Sequence, residues 1–439
     1  MGKILLFTVI AAAGFNALLR PWIGIVAYYT LALLGPQYIW WWNFQGLRVS
    51  LIIAVCTLIG VGLKLLQGSC DLRYFKTRQN LWLFLLWVCI VISYNFGPFV
   101  SSTGLASARL FSITNNIFLF YFCSCLIIND IKHLRYLAFI LVVSTLYLTW
   151  WANSQYFTAL STGNWSAFNW GRLMGPRSMD GGSIYGDENA FALFFVTGIP
   201  FIYYSALAIE RKWLRYALYG AIPFAWHAIF LTASRGGLVG LGVVTILIAL
   251  LGTRKIMVIP LLISFVVFYQ WQAGGVMQSR SAYIVNYSEE GSAEGRIGAW
   301  KAGLGMIAAH PITGVGLGSF VTAMPMFSDT SPRVAHNTFM QFAAESGIVA
   351  GLSYLMAIYL FFRNALRIYG WCRDPANQEH SHWVDTLNNA STVSFAGLAV
   401  CALFLSLTTY EILFYLILIN NTLSVLCNSS IQQVREGLI

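Results

Sequence analysis

The chain has 439 residues, of which 58% are hydrophobic and only 10% are charged. Soluble domains carry charge on about a quarter of their residues, so this composition excludes a soluble enzyme, a disordered linker, a collagen and a disulfide-stapled secreted module. One membrane span needs about 20 mostly apolar residues, and the length accommodates roughly a dozen of them. The sequence therefore predicts an all-α polytopic membrane protein with about 12 transmembrane helices.

Apolar runs predict most of these spans directly. They lie at 49–67, 81–97, 108–128, 136–152, 188–208, 216–233, 237–252, 256–273, 347–366, 389–407 and 411–427. The stretch 4–34 has two short runs around Arg20-Pro21, which form either one broken span, giving 12 in all, or two short helices, giving 13. We favour 12, because Lys3 precedes the first run and the positive-inside rule prefers it in the cytoplasm.

The net charge of +10 reflects the membrane topology of the chain. Lys and Arg are in excess over acids in one set of alternate loops, which the positive-inside rule assigns to the cytoplasm. In the opposite, outer set, bases and acids balance. The positive charge therefore indicates orientation, and nucleic acid is not an expected partner.

Two outer segments, 153–187 and 274–346, are much longer than the other connections. Long connections in a compact protein are usually functional, so we expect the active surface to face outward. We divide the chain into an N-terminal transmembrane region, 1–185, and a transmembrane core, 186–439, that includes the outer loop 274–346. The outer bases are nearly all Arg, whose planar fork of donors suits phosphate or carboxylate.

The second outer segment predicts a helix followed by a turn. From Glu294 through Ala309 the apolar residues recur at helical spacing, which puts Arg296 and Trp300 on one face. His310-Pro311 then ends the helix. Three glycines follow and predict a tight turn or a close approach to a ligand: Gly314, Gly316 and Gly318.

His336 is the candidate general base. It follows Pro332-Arg333 and lies at the start of a predicted helix, where backbone N–H groups disfavour the imidazolium. An unperturbed imidazole, with a pKa of about 6.5, is already mostly neutral at pH 7. A lone His at such a position is often only a cap or a packing residue, but Arg296 and Arg333 on the same loop favour the catalytic interpretation.

Further polar residues point to the same outer side. Arg235 lies between two closely joined spans, near the hydrocarbon boundary, where a charge costs about 3 kcal/mol unless it is paired or reaches water. Asp187 and Asn189 open the next span and can either cap that helix or align Arg235 and substrate groups. Arg172 and Arg177 lie in a stretch that alternates aromatic and hydrogen-bonding residues, a mixture that suits sugars.

Several chemistries have no motif here. The sequence lacks zinc-protease and nucleotide-binding patterns and a Cys-rich cluster, so we expect neither a metal nor a cofactor. Acids within the spans are few, with Glu411 at a span edge the main example, which argues against an ion-coupled transporter.

Taken together in order and spacing, these motifs resemble the O-antigen ligase and polymerase superfamily over roughly residues 185–360. The motifs that carry the resemblance are Asp187-x-Asn189, Ser234-Arg235-Gly236, Gly295-Arg296 with Trp300, His310-Pro311 to Gly316, and His336-Asn337 with Glu345-x-Gly347. The first 65 residues, with Arg20-Pro21-Trp22 and Leu34-Gly35-Pro36, are also similar to the N-terminal region of O-glycosylation ligases.

The resemblance implies a GT-C-like glycosyltransferase of the bacterial inner membrane with a periplasmic active site. Such an enzyme transfers O-antigen glycan from undecaprenyl pyrophosphate to a hydroxyl of the lipid A core oligosaccharide in lipopolysaccharide assembly. His336 would deprotonate the acceptor, and one displacement would invert the anomeric centre. Pyrophosphate would bind Arg235 and Arg296 with Arg172, Arg177 or Arg333. The supporting residues would be Asp187, Asn189, Asn337, Trp300 and Glu345.

Alternatives remain within and outside this enzyme class. A polymerase would use a second lipid-linked glycan as acceptor, and a protein O-glycosylation ligase would use Ser or Thr side chains with the same donor. A retaining mechanism would need a nucleophilic carboxylate, for which the clustered outer acids are Glu289, Glu290 and Glu294. A flippase for lipid-linked glycans would move the donor without cleaving its pyrophosphate.

Overall fold

The computed structural model describes the backbone of residues 2–44, 49–178, 181–182, 185–251, 263 and 278–435, with side chains for most of these. The described chain is almost entirely helical, as predicted. The helices are α1 (Gly2–Leu19), α2 (Pro21–Leu34), α3 (Pro36–Ile39), α4 (Trp41–Phe44), α5 (Val49–Leu66), α6 (Arg78–Phe96), α7 (Val100–Thr103), α8 (Leu105–Ile127), α9 (Ile131–Thr162), α10 (Glu188–Ala208), α11 (Lys212–Thr232), α12 (Arg235–Leu251), α13 (Gln278–Ala309), α14 (Phe320–Ala323), α15 (Thr338–Ser346), α16 (Ile348–Arg373), α17 (Gln378–Cys401) and α18 (Glu411–Arg435).

Two short antiparallel hairpins occupy part of the first outer segment. Strand β1 (Phe168–Asn169) pairs with β2 (Arg172–Leu173), with Asn169 opposite Arg172. Strand β3 (Arg177–Ser178) pairs with β4 (Gly181–Gly182). The hairpins lie between the end of α9 and the start of α10, so they lead the chain directly to Asp187.

Seven of the described helices are long and apolar enough to cross a membrane, which confirms a polytopic membrane protein. They are Val49–Leu66, Arg78–Phe96, Leu105–Ile127, Ile131–Thr162, Glu188–Ala208, Ile348–Arg373 and Glu411–Asn428. The predicted span at 256–273 lies outside the described residues except for position 263. The total of 12 spans and the GT-C-like fold stay predictions.

The N-terminal stretch differs from the favoured single broken span. It forms two helices that separate at Arg20, because Pro21 has no N–H to continue the hydrogen-bond ladder. Ala17 lies directly against Gly24 across the break, so α1 and α2 fold back on each other. This arrangement corresponds to the alternative of two short helices.

The centre of the bundle is formed by α10, α17 and α18. Most residues of α10 from Ala190 to Ile202 are buried, and neighbouring helices approach it closely through small residues. Gly198 lies against Thr145 of α9, and Gly240 of α12 lies near the backbone of Gly397 in α17. Small residues at helix contacts are typical of membrane bundles, where close packing replaces the hydrophobic driving force.

The glycine segment after α13 anchors the outer loop to the bundle. Gly314, Gly316 and Gly318 all have positive φ, which confirms the predicted turn. Val315 N donates to Ala344 O at 2.9 Å and Gly316 N donates to Glu345 O at 3.1 Å, so the segment runs against the end of α15. The hydroxyl of Ser93 in α6 donates to the same Glu345 carbonyl at 2.6 Å.

Candidate functional site

His336 lies immediately before α15, as the sequence predicts, and it has a left-handed backbone with φ of +47°. Asn337 is the N-cap of the helix, and its side chain accepts a hydrogen bond from Met340 N at 2.9 Å. Because Asn337 caps the start of this helix, His336 has no capping role. The imidazole is half-buried at this end of the bundle.

Three charged residues from different elements act electrostatically on His336. Burial lowers the pKa of His336 below its usual 6.5, and the charges of Arg296 and Arg333 lower this pKa further, whereas Asp187 opposes them. Arg296 comes from α13, Arg333 from the loop before α15, and Asp187 from the start of α10. These effects favour the neutral imidazole, the form that can accept a proton.

Helix α13 holds the loop that carries His336. Trp300 Nε1 donates to the Ala335 carbonyl at 2.9 Å, one residue before His336. The Arg333 guanidinium rests on Gly295, where an added methyl group would lie 1.9 Å from its Nη1 atom. The predicted face of Arg296 and Trp300 thus packs against the His336 loop, and Gly295 leaves the space that Arg333 occupies.

The starts of α10 and α12 are joined by hydrogen bonds. Asp187 Oδ1 accepts from Asn189 N at 2.7 Å and Ala190 N at 2.9 Å, so the expected capping role belongs to Asp187. Asn189 Oδ1 accepts from the Ser234 hydroxyl at 2.7 Å. Ser234 in turn accepts from Gly237 N at 3.1 Å and positions the exposed Arg235 at the first residue of α12.

Arg172 lies at the same helix start as Asp187. Its Nη1 atom is 2.7 Å from Glu188 Oε1, and both side chains remain partly exposed. Glu188 already offsets part of the charge of Arg172, so Arg172 is a weaker candidate for pyrophosphate than Arg296. The side chain of Arg177 lies outside the described part of the structure.

Glu345 is connected to the His336 loop through Gln341. Its carboxylate is buried, and burial raises its pKa to about 7 in spite of hydrogen bonds from Gln341 and from backbone amides. Gln341 Nε2 donates to Glu345 Oε1 at 2.7 Å, while Gln341 Oε1 accepts from Ala335 N at 3.0 Å. Gln341 therefore connects Glu345 to the residue next to His336, a role that sequence reasoning missed.

Sequence reasoning also missed the loop between α17 and α18. Thr338 N donates to Ala402 O at 2.9 Å, and the Thr338 hydroxyl donates to Leu405 O at 2.7 Å. Ser406 adds a hydrogen bond to Gln341 Oε1 at 2.9 Å. The apolar run predicts a span through residue 407, but α17 ends at Cys401, because the carbonyls of Ala402 and Leu405 accept hydrogen bonds from Thr338.

Two family models match separate parts of the chain. Residues 220–355 match the family model described as O-antigen ligase, and this range includes Arg235, Arg296, His336 and Glu345. Residues 1–184 match a family of unknown function. No curated protein matches the chain. The resemblance to the O-antigen ligase superfamily is therefore confirmed over residues 220–355.

Proposed function

We propose that the protein transfers O-antigen glycan from undecaprenyl pyrophosphate to a hydroxyl of lipid A core oligosaccharide, on the periplasmic face of the bacterial inner membrane. The O-antigen ligase domain supports this class of reaction. The observation that carries the proposal is the half-buried imidazole of His336, whose pKa is lowered by burial and by the charges of Arg296 and Arg333. A base beside two cations suits an alcohol that must lose a proton while a diphosphate departs.

His336 acts as the general base in this mechanism. Its ring nitrogen takes the proton of the acceptor hydroxyl while the oxygen forms a bond to the anomeric carbon of the donor sugar. The bond from that carbon to the pyrophosphate oxygen breaks, and undecaprenyl pyrophosphate leaves with the electron pair. A positioned base typically contributes about 10² to 10⁴ in rate.

The arginines bind the donor and stabilise the departing charge. Guanidinium groups already in place need no reorganisation when negative charge develops on the pyrophosphate. Arg296 and Arg333 lie close enough to His336 to depress its pKa, and Arg235 lies on the same side through the Asn189–Ser234 hydrogen bond. Because pyrophosphate is itself a good leaving group, the reaction needs no metal, and we expect excess chelator to leave the rate unchanged.

A single displacement inverts the anomeric centre. The alternative, a retaining reaction, requires a carboxylate nucleophile opposite an acid about 5 Å away. Asp187 is the carboxylate whose charge acts on His336, and its Oδ1 atom is occupied by two backbone amides of α10. This arrangement favours a helix cap over a nucleophile and so supports the inverting route.

The test is a transfer assay with purified protein and a labelled lipid-linked glycan. His336→Ala should lower the transfer rate by about 10² to 10⁴ without loss of folded protein. His310→Ala, which alters another outer histidine at the end of α13, should keep the wild-type rate. Normal transfer by His336→Ala would refute the assignment of the base.

The acceptor is tested by offering the same donor three alternatives. Lipid A core oligosaccharide should be glycosylated with release of undecaprenyl pyrophosphate. Transfer only to a second lipid-linked glycan would indicate a polymerase, and transfer only to Ser or Thr peptides would indicate a protein ligase. Donor movement across a vesicle membrane without release of undecaprenyl pyrophosphate would indicate a flippase.

A further inference from the structure

A second polar site lies at the start of α6, the end of the helix far from Ser93 and its contact with Glu345. It is a cavity of about 320 Å³ formed by the loop before α6 with the first residues of that helix, and by the second halves of α16 and α18. Its volume is at the small end of the range of about 300 to 1,000 Å³ for ligand pockets. The proposed transfer reaction assigns no role to it.

The lining of this cavity is strongly basic. Five lining residues are bases and none is acidic: Arg73, Lys76, Arg78, Arg363 and Arg367. In the described part of the chain, Arg73 is the one of these five within 4 Å of a carboxylate, that of Asp71 at 2.7 Å. Arg363 is half-buried, whereas Lys76 and Arg78 are exposed. The bases thus surround the cavity without carboxylates that would neutralise most of them.

A buried donor without a partner lies in the same wall. Gln79 is only 1% exposed, and its Oε1 atom accepts from Asn364 Nδ2 at 3.2 Å. Its Nε2 group is buried and has no hydrogen-bond partner among the residues that the structure describes. Leaving a buried donor unsatisfied costs about 1 to 3 kcal/mol, so this amide favours an acceptor within the cavity.

The first turn of α6 adds to the positive potential. This helix begins at Arg78, and Thr77 caps it through a hydrogen bond to Asn80 N at 3.2 Å. Thr77, Arg78 and Gln79 all line the cavity, so the positive end of the helix dipole lies there too. Positive-inside topology explains bases in these loops, but it explains neither their arrangement around a cavity nor the buried amide.

The cavity and the contact between Ser93 and Glu345 lie at opposite ends of α6. From Gln79 to Ser93, which bonds Glu345, α6 rises by about 21 Å at 1.5 Å per residue. The cavity also contains the apolar side chains of Leu360 and Val425. A ligand there would thus place an anionic group among the bases and an apolar part beside the helices.

We propose that this cavity binds a phosphate group, that of an anionic lipid head group in the leaflet opposite the His336 site. Basic pockets between transmembrane helices on the cytoplasmic side suit such head groups. The apolar lining and the position between the start of α6 and the second halves of α16 and α18 favour a lipid over a soluble anion. The inference does not depend on the transfer reaction.

The test measures thermal stabilisation of the purified protein in neutral detergent, because a ligand that binds the folded state raises Tm. Dioctanoyl phosphatidylglycerol should raise Tm, whereas dioctanoyl phosphatidylcholine should not. Arg363→Gln/Arg367→Gln should raise the half-saturating concentration by roughly 30-fold, about fivefold for each base removed. Arg211→Gln/Lys212→Gln removes the same charge from another exposed loop and should leave it unchanged.

Gln79→Glu, which hardly changes the size of the side chain, separates loss of binding from misfolding of the double arginine variant. Gln79→Glu keeps the acceptor for Asn364 but places a negative charge in the cavity, so it should abolish the phosphatidylglycerol effect. If inorganic phosphate raised Tm as much as phosphatidylglycerol at the same concentration, the cavity would be an anion site and the assignment to a lipid would be wrong. Equal responses from the wild type, the Arg363/Arg367 variant and Gln79→Glu would overturn the proposal.

Discussion

At the scale of single residues, His336 is held by what precedes and follows it. A left-handed conformation is unfavourable for a residue with a side chain, and the φ of +47° persists because both neighbours are fixed. Ala335 is bound at its carbonyl by Trp300 and at its amide by Gln341, while Asn337 caps α15. The position of the imidazole is therefore set before any substrate binds.

The pH dependence of transfer tests the charges around His336. The proton-accepting form is neutral, so activity should be lost as pH falls through the pKa of His336, which lies below its ordinary value. Arg333→Gln removes a charge that lowers this pKa and should move the acidic limb to higher pH. Asp187→Asn removes a charge that raises it and should move the limb to lower pH.

These two variants make a matched pair. Asn caps helices about as well as Asp, so Asp187→Asn should retain the start of α10. The acidic limb of the pH–rate profile is measured from single-turnover rates at saturating donor. Shifts of both variants in the same direction would contradict the electrostatic assignment.

At the scale of elements, the sequence predicts helices better than their connections. The span at 188–208 is confirmed at both ends, because Asp187 caps it and its apolar run is unbroken. The predicted end of the last-but-one span, at residue 407, was wrong. Residues 402–407 are mostly apolar and continue the hydrophobic run, but they hydrogen-bond to α15 instead of extending α17. The same limit applies to the candidate site: the local pattern singles out His336, Arg296 and Trp300, whereas the role of Gln341 depends on hydrogen bonds to Ala335, Glu345 and Ser406 that no sequence pattern indicates.

Gly314 should be intolerant of any side chain. Its φ is +64°, and an added Cβ would lie 2.2 Å from the carbonyl carbon and oxygen of Glu345. Gly314→Ala should destabilise the protein by more than about 2 kcal/mol, from the left-handed penalty and the displaced backbone. Gly62→Ala, in α5 with open space around it, should not destabilise. The measurement is Tm in detergent, and equal values for the two variants would contradict this account.

Glu345 should make stability depend on pH. Its pKa is raised from 4.5 to about 7 in the folded protein, so its contribution is fully present below the unfolded pKa and is lost as pH rises through about 7. The difference amounts to roughly 3 kcal/mol. Tm should fall between pH 5 and pH 8 in the wild type, and this fall should be much smaller in Glu345→Gln.

A matched glutamate provides the control for that experiment. Glu294 is exposed on α13, so Glu294→Gln should keep the wild-type fall in Tm. If Glu345→Gln also kept it, another group would be responsible for the dependence.

At the scale of the whole molecule, the orientation in the membrane can be tested with single cysteines. All eight native cysteines are free, and Cys56 and Cys70 are the two that are not buried, so both are first replaced by Ser. Ser331→Cys, exposed on the outer loop, should react with a membrane-impermeant maleimide in spheroplasts. Glu379→Cys, exposed at the start of α17, should react only after lysis. The reverse pattern would invert the proposed topology.

The attachment of the glycine segment to α6 and α8 bears on how the two halves of such proteins can diverge. Ser93 and Ser107 donate to the carbonyls of Glu345 and Leu317, and Phe99 N donates to Val315 O. Each acceptor is a main-chain atom, present whatever side chain stands at that position. These three hydrogen bonds do not depend on the side chains of Val315, Leu317 and Glu345, but the segment still requires glycine at 314 and 316, where an added Cβ would meet Glu345 and Val100. A chimera that joins residues 1–184 to the C-terminal part of a related protein should therefore keep these hydrogen bonds where that part retains the two glycines.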